Sequence, residues 1–147
     1  MLNEVSQYLL NARITDVSHI KSDIALVLGE HRLWLDTAWR IEKEGRIIIG
    51  NDNLLELLSH EDYKFDYEDA VVIIKECLKD SLITELRYSD FNELILRLSN
   101  GHTFRSFQTF GDDEDEVENF QLTIAKQRYL VYPKKVELQD LGKFYKG

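Results

Sequence analysis

The run Tyr8-Leu9-Leu10-Asn11-Ala12-Arg13-Ile14-Thr15-Asp16-Val17 is answered 69 positions later by Cys77-Leu78-Lys79-Asp80-Ser81-Leu82-Ile83-Thr84-Glu85-Leu86. The echo continues outward. Ile24-Ala25-Leu26-Val27-Leu28 returns as Leu94-Ile95-Leu96-Arg97-Leu98, and His31-Arg32-Leu33 returns as His102-Thr103-Phe104. One supersecondary unit is therefore written twice. A unit of one helix and about four strands cannot bury a sheet face alone, so the economical solution packs the two copies against each other. The expected fold is α+β and β-dominated: two similar helix-plus-antiparallel-meander repeats forming a pseudo-two-fold sandwich or a partly open barrel. A single domain is expected over 1–147, with repeat 1 at about 2–50, a connector at 51–66, repeat 2 at 67–133 and a C-terminal tail at 134–147.

Periodicity fills in the elements. Val5 and Leu9, with Leu2 beside them, predict a short helix over 3–10 with Asn3 as its N-cap. Ile14 and Val17 begin an extended segment, and Ile24, Leu26 and Leu28 alternate on one face of a second strand. Gly29-Glu30 makes a turn. Leu33 and Leu35 face opposite to Trp34 in a third strand, and Glu44-Gly45 turns into a fourth at 46–49, so four strands in meander order are expected. Leu54, Leu55, Leu57 and Leu58 suggest a helical turn or two in the connector. Ala70, Val71, Ile74, Cys77 and Leu78 form a helical stripe, with Asp66 and Asp69 as a weak cap. The β-branched run Val71-Val72-Ile73-Ile74 argues for a strand there, but the longer stripe favours a helix. Strands follow at 82–88, 93–98 and 103–107, with Ser99-Asn100-Gly101 as a tight hairpin. After the break at 111–118, Phe120, Leu122 and Ile124 alternate. The segment 128–132, which resembles 46–49, closes the set before Pro133.

Composition bounds the class. With 147 residues, 44% apolar and 11% aromatic, the chain can fold around its own core without metal or disulfide. Its one cysteine, Cys77, has no internal partner, and the N-terminus lacks the pattern of a secretory signal, so a cytoplasmic location is expected. No apolar stretch approaches the roughly 20 residues that cross a bilayer, and no membrane partner is expected. The net charge of -9 repels phosphate backbones, which argues against nucleic acid. The segment Lys126 to Gly147 carries six basic and two acidic residues, so the acidic field belongs to the rest of the chain.

Catalytic patterns are missing. His31 and His102 hold corresponding hairpin positions, which inherited turn architecture explains better than a joint metal site. His19 stands alone. His60-Glu61-Asp62 lacks the spacing that puts two imidazoles on one helix face and reads as a solvated loop. Cys77 lies in the apolar stripe, where burial suppresses the thiolate. The seven glycines form no phosphate loop and no nucleophile elbow. No cofactor, metal or catalytic residue is expected.

What rises above this background is Asp112-Asp113-Glu114-Asp115-Glu116-Val117-Glu118, six carboxylates in seven residues. Their repulsion keeps the run on the surface unless a cation or basic partner relieves it. One reading is a solvated loop that keeps the flanking strands from aggregating. The sharper one assigns Asp112, Asp113, Glu114, Asp115, Glu116 and Glu118 to a basic protein surface. Trp34, Trp39, Tyr63, Phe65 and Tyr67 supply a second candidate surface if Trp39 and the tyrosine cluster are exposed together.

With its paired Ile-Thr-Asp-Val and Ile-Thr-Glu-Leu openings, its segment Leu33-Trp34-Leu35-Asp36-Thr37-Ala38-Trp39-Arg40 and its acidic insertion, the chain resembles small β-rich bacterial proteins. It is similar in size and acidity to immunity proteins that neutralise polymorphic or contact-delivered toxins. That resemblance implies a non-catalytic inhibitor, monomeric or homodimeric, that occludes a toxin with a basic surface, a nuclease being one candidate. It transfers no site residue. The alternatives are a ligand-binding or enzymatic domain with a cleft between the sheets and a structural homodimer.

Overall fold

The computed structural model describes residues 1–21, 23–58, 63–108 and 117–143. Helix α1 spans Leu2–Leu9 and is held by Val5 and Leu9, one turn apart and both fully buried. Asn3 is not its cap. Met1 takes that position and offers no side-chain bond, so tertiary packing stabilises this helix where capping does not.

Three strands follow as an antiparallel meander: β1 (Asp16–Ile20), β2 (Asp23–Leu28) and β3 (His31–Leu35). The expected fourth strand at 46–49 is β5 (Arg46–Gly50), and it is preceded by a strand the periodicity did not single out, β4 (Ala38–Lys43). Trp39 and Ile41 are buried on one side of β4 while Arg40 and Glu42 lie outward. Glu44 and Gly45, at φ 52° and 76°, give the left-handed pair that a two-residue hairpin needs. Helices α2 (Asn51–Leu58) and α3 (Tyr63–Leu78) come next. The stripe at 70–78 is indeed helical, and Asp66 sits inside the helix instead of capping it. The second half supplies β6 (Ile83–Tyr88), β7 (Leu94–Leu98), β8 (His102–Phe107), β9 (Phe120–Ile124) and β10 (Gln127–Val131). Residues taken as tail add β11 (Val136–Asp140), paired to β10, and a 3-10 turn at Leu141–Lys143.

The strands form two antiparallel sheets around one continuous apolar cluster, a sandwich with no closed barrel. One sheet runs β1-β2-β3-β9-β10-β11, the other β5-β4-β8-β7-β6. Each sheet therefore joins the three-strand meander of one half to the hairpin of the other. The simple four-strand meander does not hold, because the chain changes sheets at Asp36-Thr37, after which Trp39 and Ile41 face the core from the opposite side.

The repeated motif marks the symmetry element. Asn11 N–H donates to Ile83 O at 2.8 Å and Asp80 N–H to Ile14 O at 2.7 Å; Ile14 N–H donates to Ser81 O at 2.8 Å and Ile83 N–H to Ala12 O at 2.9 Å. Each bond has its mate in the other half, and the bridge between Arg13 and Leu82 lies at their centre. Asn11 and Asp80 both adopt φ 67°, a left-handed geometry that their short polar side chains tolerate. Beyond the seam, Thr15 Oγ1 donates to Val27 O at 3.1 Å and Thr84 Oγ1 to Arg97 O at 3.2 Å. The Ile-Thr pair recurs because each copy needs a buried isoleucine and a hydroxyl that ties its first strand to its second.

Candidate functional site

The repeat spacing changes most at one crossover. The first half passes from β3 to β4 through Asp36 and Thr37, the second from β8 to β9 through residues 108–119. The spacing between equivalent residues rises from 71 (His31 to His102) to 81 (Trp39 to Phe120), an insertion of ten residues. Asp112, Asp113, Glu114, Asp115 and Glu116 belong to this insertion and lie outside the described residues. Glu118 is half-buried and accepts a hydrogen bond from the Gln121 amide.

The roots of the insertion are fixed by a buried polar network. Asn119, fully buried, donates its backbone N–H to Val131 O at 2.7 Å and its amide to Phe91 O at 2.7 Å. Its side-chain oxygen accepts from Gln108 Nε2 at 3.2 Å, and its carbonyl accepts from Thr37 Oγ1 at 3.0 Å. Gln108 N–H donates to Glu93 Oε2 at 2.6 Å, and Gln108 Nε2 also reaches Val117 O at 3.3 Å. Both crossovers are thus tied together, since buried donors and acceptors left unpaired would each cost about 1–3 kcal/mol.

Carboxylates crowd this end. The Asp36 carboxyl is pushed above its ordinary range, first by partial desolvation and then by Glu118 and Asp23, against stabilisation from its own backbone. Asp23 is raised by desolvation, with Lys21 opposing. The Tyr132 phenol is raised by burial and then by Glu137 and Glu118. Cations are favoured here, and further negative charge is not.

A cleft of about 380 Å³ opens beside the same crossover. Ala38, Trp39 and Arg40 of β4, Ile47 and Gly50 of β5, Asn51 to Asn53 at the start of α2, and Phe107 at the end of β8 line it. Gly50 permits the close approach of β5 to β4, because a Cβ there would stand 2.9 Å from Trp39 O. Asn51 Oδ1 accepts from Trp39 N–H at 3.2 Å and Asn53 Oδ1 from Gly50 N–H at 2.9 Å, anchoring α2 to the sheet. Ile47 is 60% exposed, and the Arg40 guanidinium lies 4.5 Å from the Phe107 ring centroid.

The suggested aromatic surface is not built around Trp39, which is 1% exposed and stacks on Phe104 with centroids 5.9 Å apart. Tyr67 turns its hydroxyl to Lys21 O at 2.7 Å, and its ring lies 5.6 Å from His19. The side chains of Tyr63 and Phe65, and all of His60-Glu61-Asp62, lie outside the described residues. Sequence reasoning missed Asp36, Ile47, Phe107, Gln108 and Asn119. The jump in repeat spacing was the one signal that pointed to them.

His31 and His102 open β3 and β8 in equivalent positions, and His31 meets the Tyr8 ring edge-on at 5.5 Å. Desolvation, then Lys43, lowers the His102 pKa; desolvation, then Lys75, lowers that of His19. Cys77 is buried, and desolvation, then Glu76, raises its thiol, so the thiolate is disfavoured. Among the described residues no three His, Cys, Asp or Glu side chains gather into a metal-binding group, and no helix is long and apolar enough to cross a membrane. Comparison of the chain with protein-family models, with curated proteins and with solved structures finds no match in any of the three.

Proposed function

We propose that this chain is a non-catalytic binding protein of the immunity type, which neutralises a toxin by covering a basic surface, a nuclease being one candidate target. The ten-residue insertion carries this reading. The repeated crossover is lengthened by a carboxylate-rich segment, whose described flank Glu118 acts on Asp36 and whose neighbour Phe107 lines a cleft with Ile47. Carboxylates there would stand in for substrate phosphates, and the apolar cleft would set the lifetime of the complex. Such complementarity raises association rates to about 10⁸–10⁹ M⁻¹s⁻¹ at low salt.

The test measures association of the protein with a basic nuclease toxin domain between 25 and 300 mM salt. Neutralising residues 112–116 and 118 to Asn or Gln is expected to slow association and flatten its salt dependence. Unchanged kinetics would remove the insertion from the interface. A second reading, a small-molecule site in the 380 Å³ cleft, is favoured by its Asn51–Asn53 rim. It predicts ligand-induced thermal stabilisation that an Ile47→Asp variant loses.

A further inference from the structure

The outward face of the five-stranded sheet carries net positive charge on a chain that is acidic as a whole. In register across it stand Arg87 on β6, Ile95 on β7, Arg105 on β8 and Arg40 on β4, each directly opposite its neighbour. The adjoining row reads Glu85, Arg97, Thr103, Glu42 and Ile47. These two rows hold four arginines and two glutamates on a chain whose net charge is -9. The equivalent rows on the six-stranded sheet, Ser18, Ala25, Trp34, Gln121, Leu130 and Glu137, and Asp16, Val27, Arg32, Thr123, Arg128 and Gln139, balance two arginines with two carboxylates. There Ala25 and Leu130 are buried, whereas no residue of the two rows on the five-stranded sheet is.

The arginines are not spent on their neighbours. Glu42 Oε2 lies 2.7 Å from Arg40 Nε and Glu42 Oε1 3.6 Å from Arg105 Nη1; Glu85 lies 2.7 Å from Arg87 Nη2 and 3.3 Å from Arg97 Nε. Each glutamate thus bridges two guanidiniums, and each triad keeps a net positive charge. A guanidinium has five donors in a fork shaped for carboxylates, so most of them stay available. Arg105 Nε is buried without a hydrogen-bond partner, while the Arg87 and Arg97 side chains are 68% and 61% exposed. Two strand spacings, about 10 Å, separate Arg105 from Arg87.

We propose that this face is a docking surface for an acidic segment of a protein partner, with two carboxylates about 10 Å apart taken by the two arginine triads. Ile95, Ile47 and Phe107 supply apolar contact between and beside them. Nucleic acid is the weaker fit, because the acidic body repels a long polyanion more than a short acidic segment. The surface shares Arg40, Ile47 and Phe107 with the cleft beside the insertion, but its arginine triads take a partner of charge opposite to that proposed for the insertion.

Fluorescence anisotropy tests this with a labelled 12-residue peptide copying residues 108–119 as the acidic probe and a 12-nucleotide oligouridylate as its rival. The peptide is expected to bind at 25 mM salt and to weaken about tenfold or more in R87E/R97E, checked for folding by circular dichroism. K134E/K135E, with the same change in net charge at the edge of the other sheet, is expected to weaken it far less. Equal losses in both variants, no peptide binding to the parent protein, or tighter binding of the oligonucleotide would each overturn the proposal.

Discussion

Between β3 and β4 the chain changes sheets in two residues, Asp36 and Thr37, and between β8 and β9 it makes the equivalent move in twelve. The short crossover shows that two residues suffice for the geometry. The sheet edges tell the same story. β10 is covered by β11, whereas its counterpart β5 ends its sheet, with Ile48 bulged out between the pairs Ile41 to Ile49 and Glu42 to Ile47. A bulge and an added strand are two ways of blunting an exposed edge. The halves share a core and a seam; they diverge at crossover, edge and outward face.

The comparison breaks most severely in the core. Trp39 and Phe120 occupy equivalent positions, both almost fully buried, Trp39 stacked on Phe104 and Phe120 on Tyr88. Alanine at either is expected to cost about 3–5 kcal/mol, read from urea midpoints. A large loss at one and a negligible loss at the other would show that the halves do not share the core equally. Next comes Asn119→Ala, which strands the partners of a buried amide and is expected to cost about 1–3 kcal/mol. A smaller loss would show that water replaces the network, and that the long crossover is rooted no more firmly than the short one.

How much of this was legible depended on whether a residue's role was local. The Ile-Thr pairs were readable because burial and a hydroxyl-to-carbonyl bond impose the same two residues twice. The helix at 70–78 was readable because Ala70, Ile74, Cys77 and Leu78 keep a helical period despite the β-branched run. The exchange of hairpins between sheets was not, since alternation in Trp39 and Ile41 gives a face and not a sheet. Nor was β11, whose Val136, Glu137, Leu138, Gln139 and Asp140 alternate too weakly to declare an edge strand. The acidic run stood out in the sequence, but Thr37 and Asn119, 82 positions apart, meet only through the crossover geometry.

Two smaller effects sharpen the contrast. Ending the chain after Tyr132 removes β11 from the edge of β10, and a loss of about 1–3 kcal/mol is expected from the apolar contact of Val136 and Leu138 with that strand. No change in the urea midpoint would mean that β10 tolerates an open edge as β5 does. The smallest effect concerns Asp36. Its folded pKa is raised, so the folded state binds its proton more tightly than the unfolded chain does, and stability from this group falls as pH climbs through and above its ordinary value of 3.8. Asp36→Asn is expected to stabilise by less than about 1 kcal/mol at pH 7, a gain that vanishes below about pH 3. A gain independent of pH would assign the effect to packing and not to Glu118 and Asp23.

The exchange of hairpins also governs when this molecule can exist. On the ribosome, the first meander emerges early but waits for β9, nearly ninety residues downstream of β3, before its sheet gains the second half of its width. The β4–β5 hairpin waits likewise for β8. Neither layer can be completed as a local event, so closure is a late step dominated by long-range pairing, which slows folding relative to a chain of sequential hairpins. During that interval the unpaired flanks of β3 and β4 are the nascent chain's points of vulnerability to mispairing, and synthesis interrupted before β8 would leave a fragment with no finished sheet.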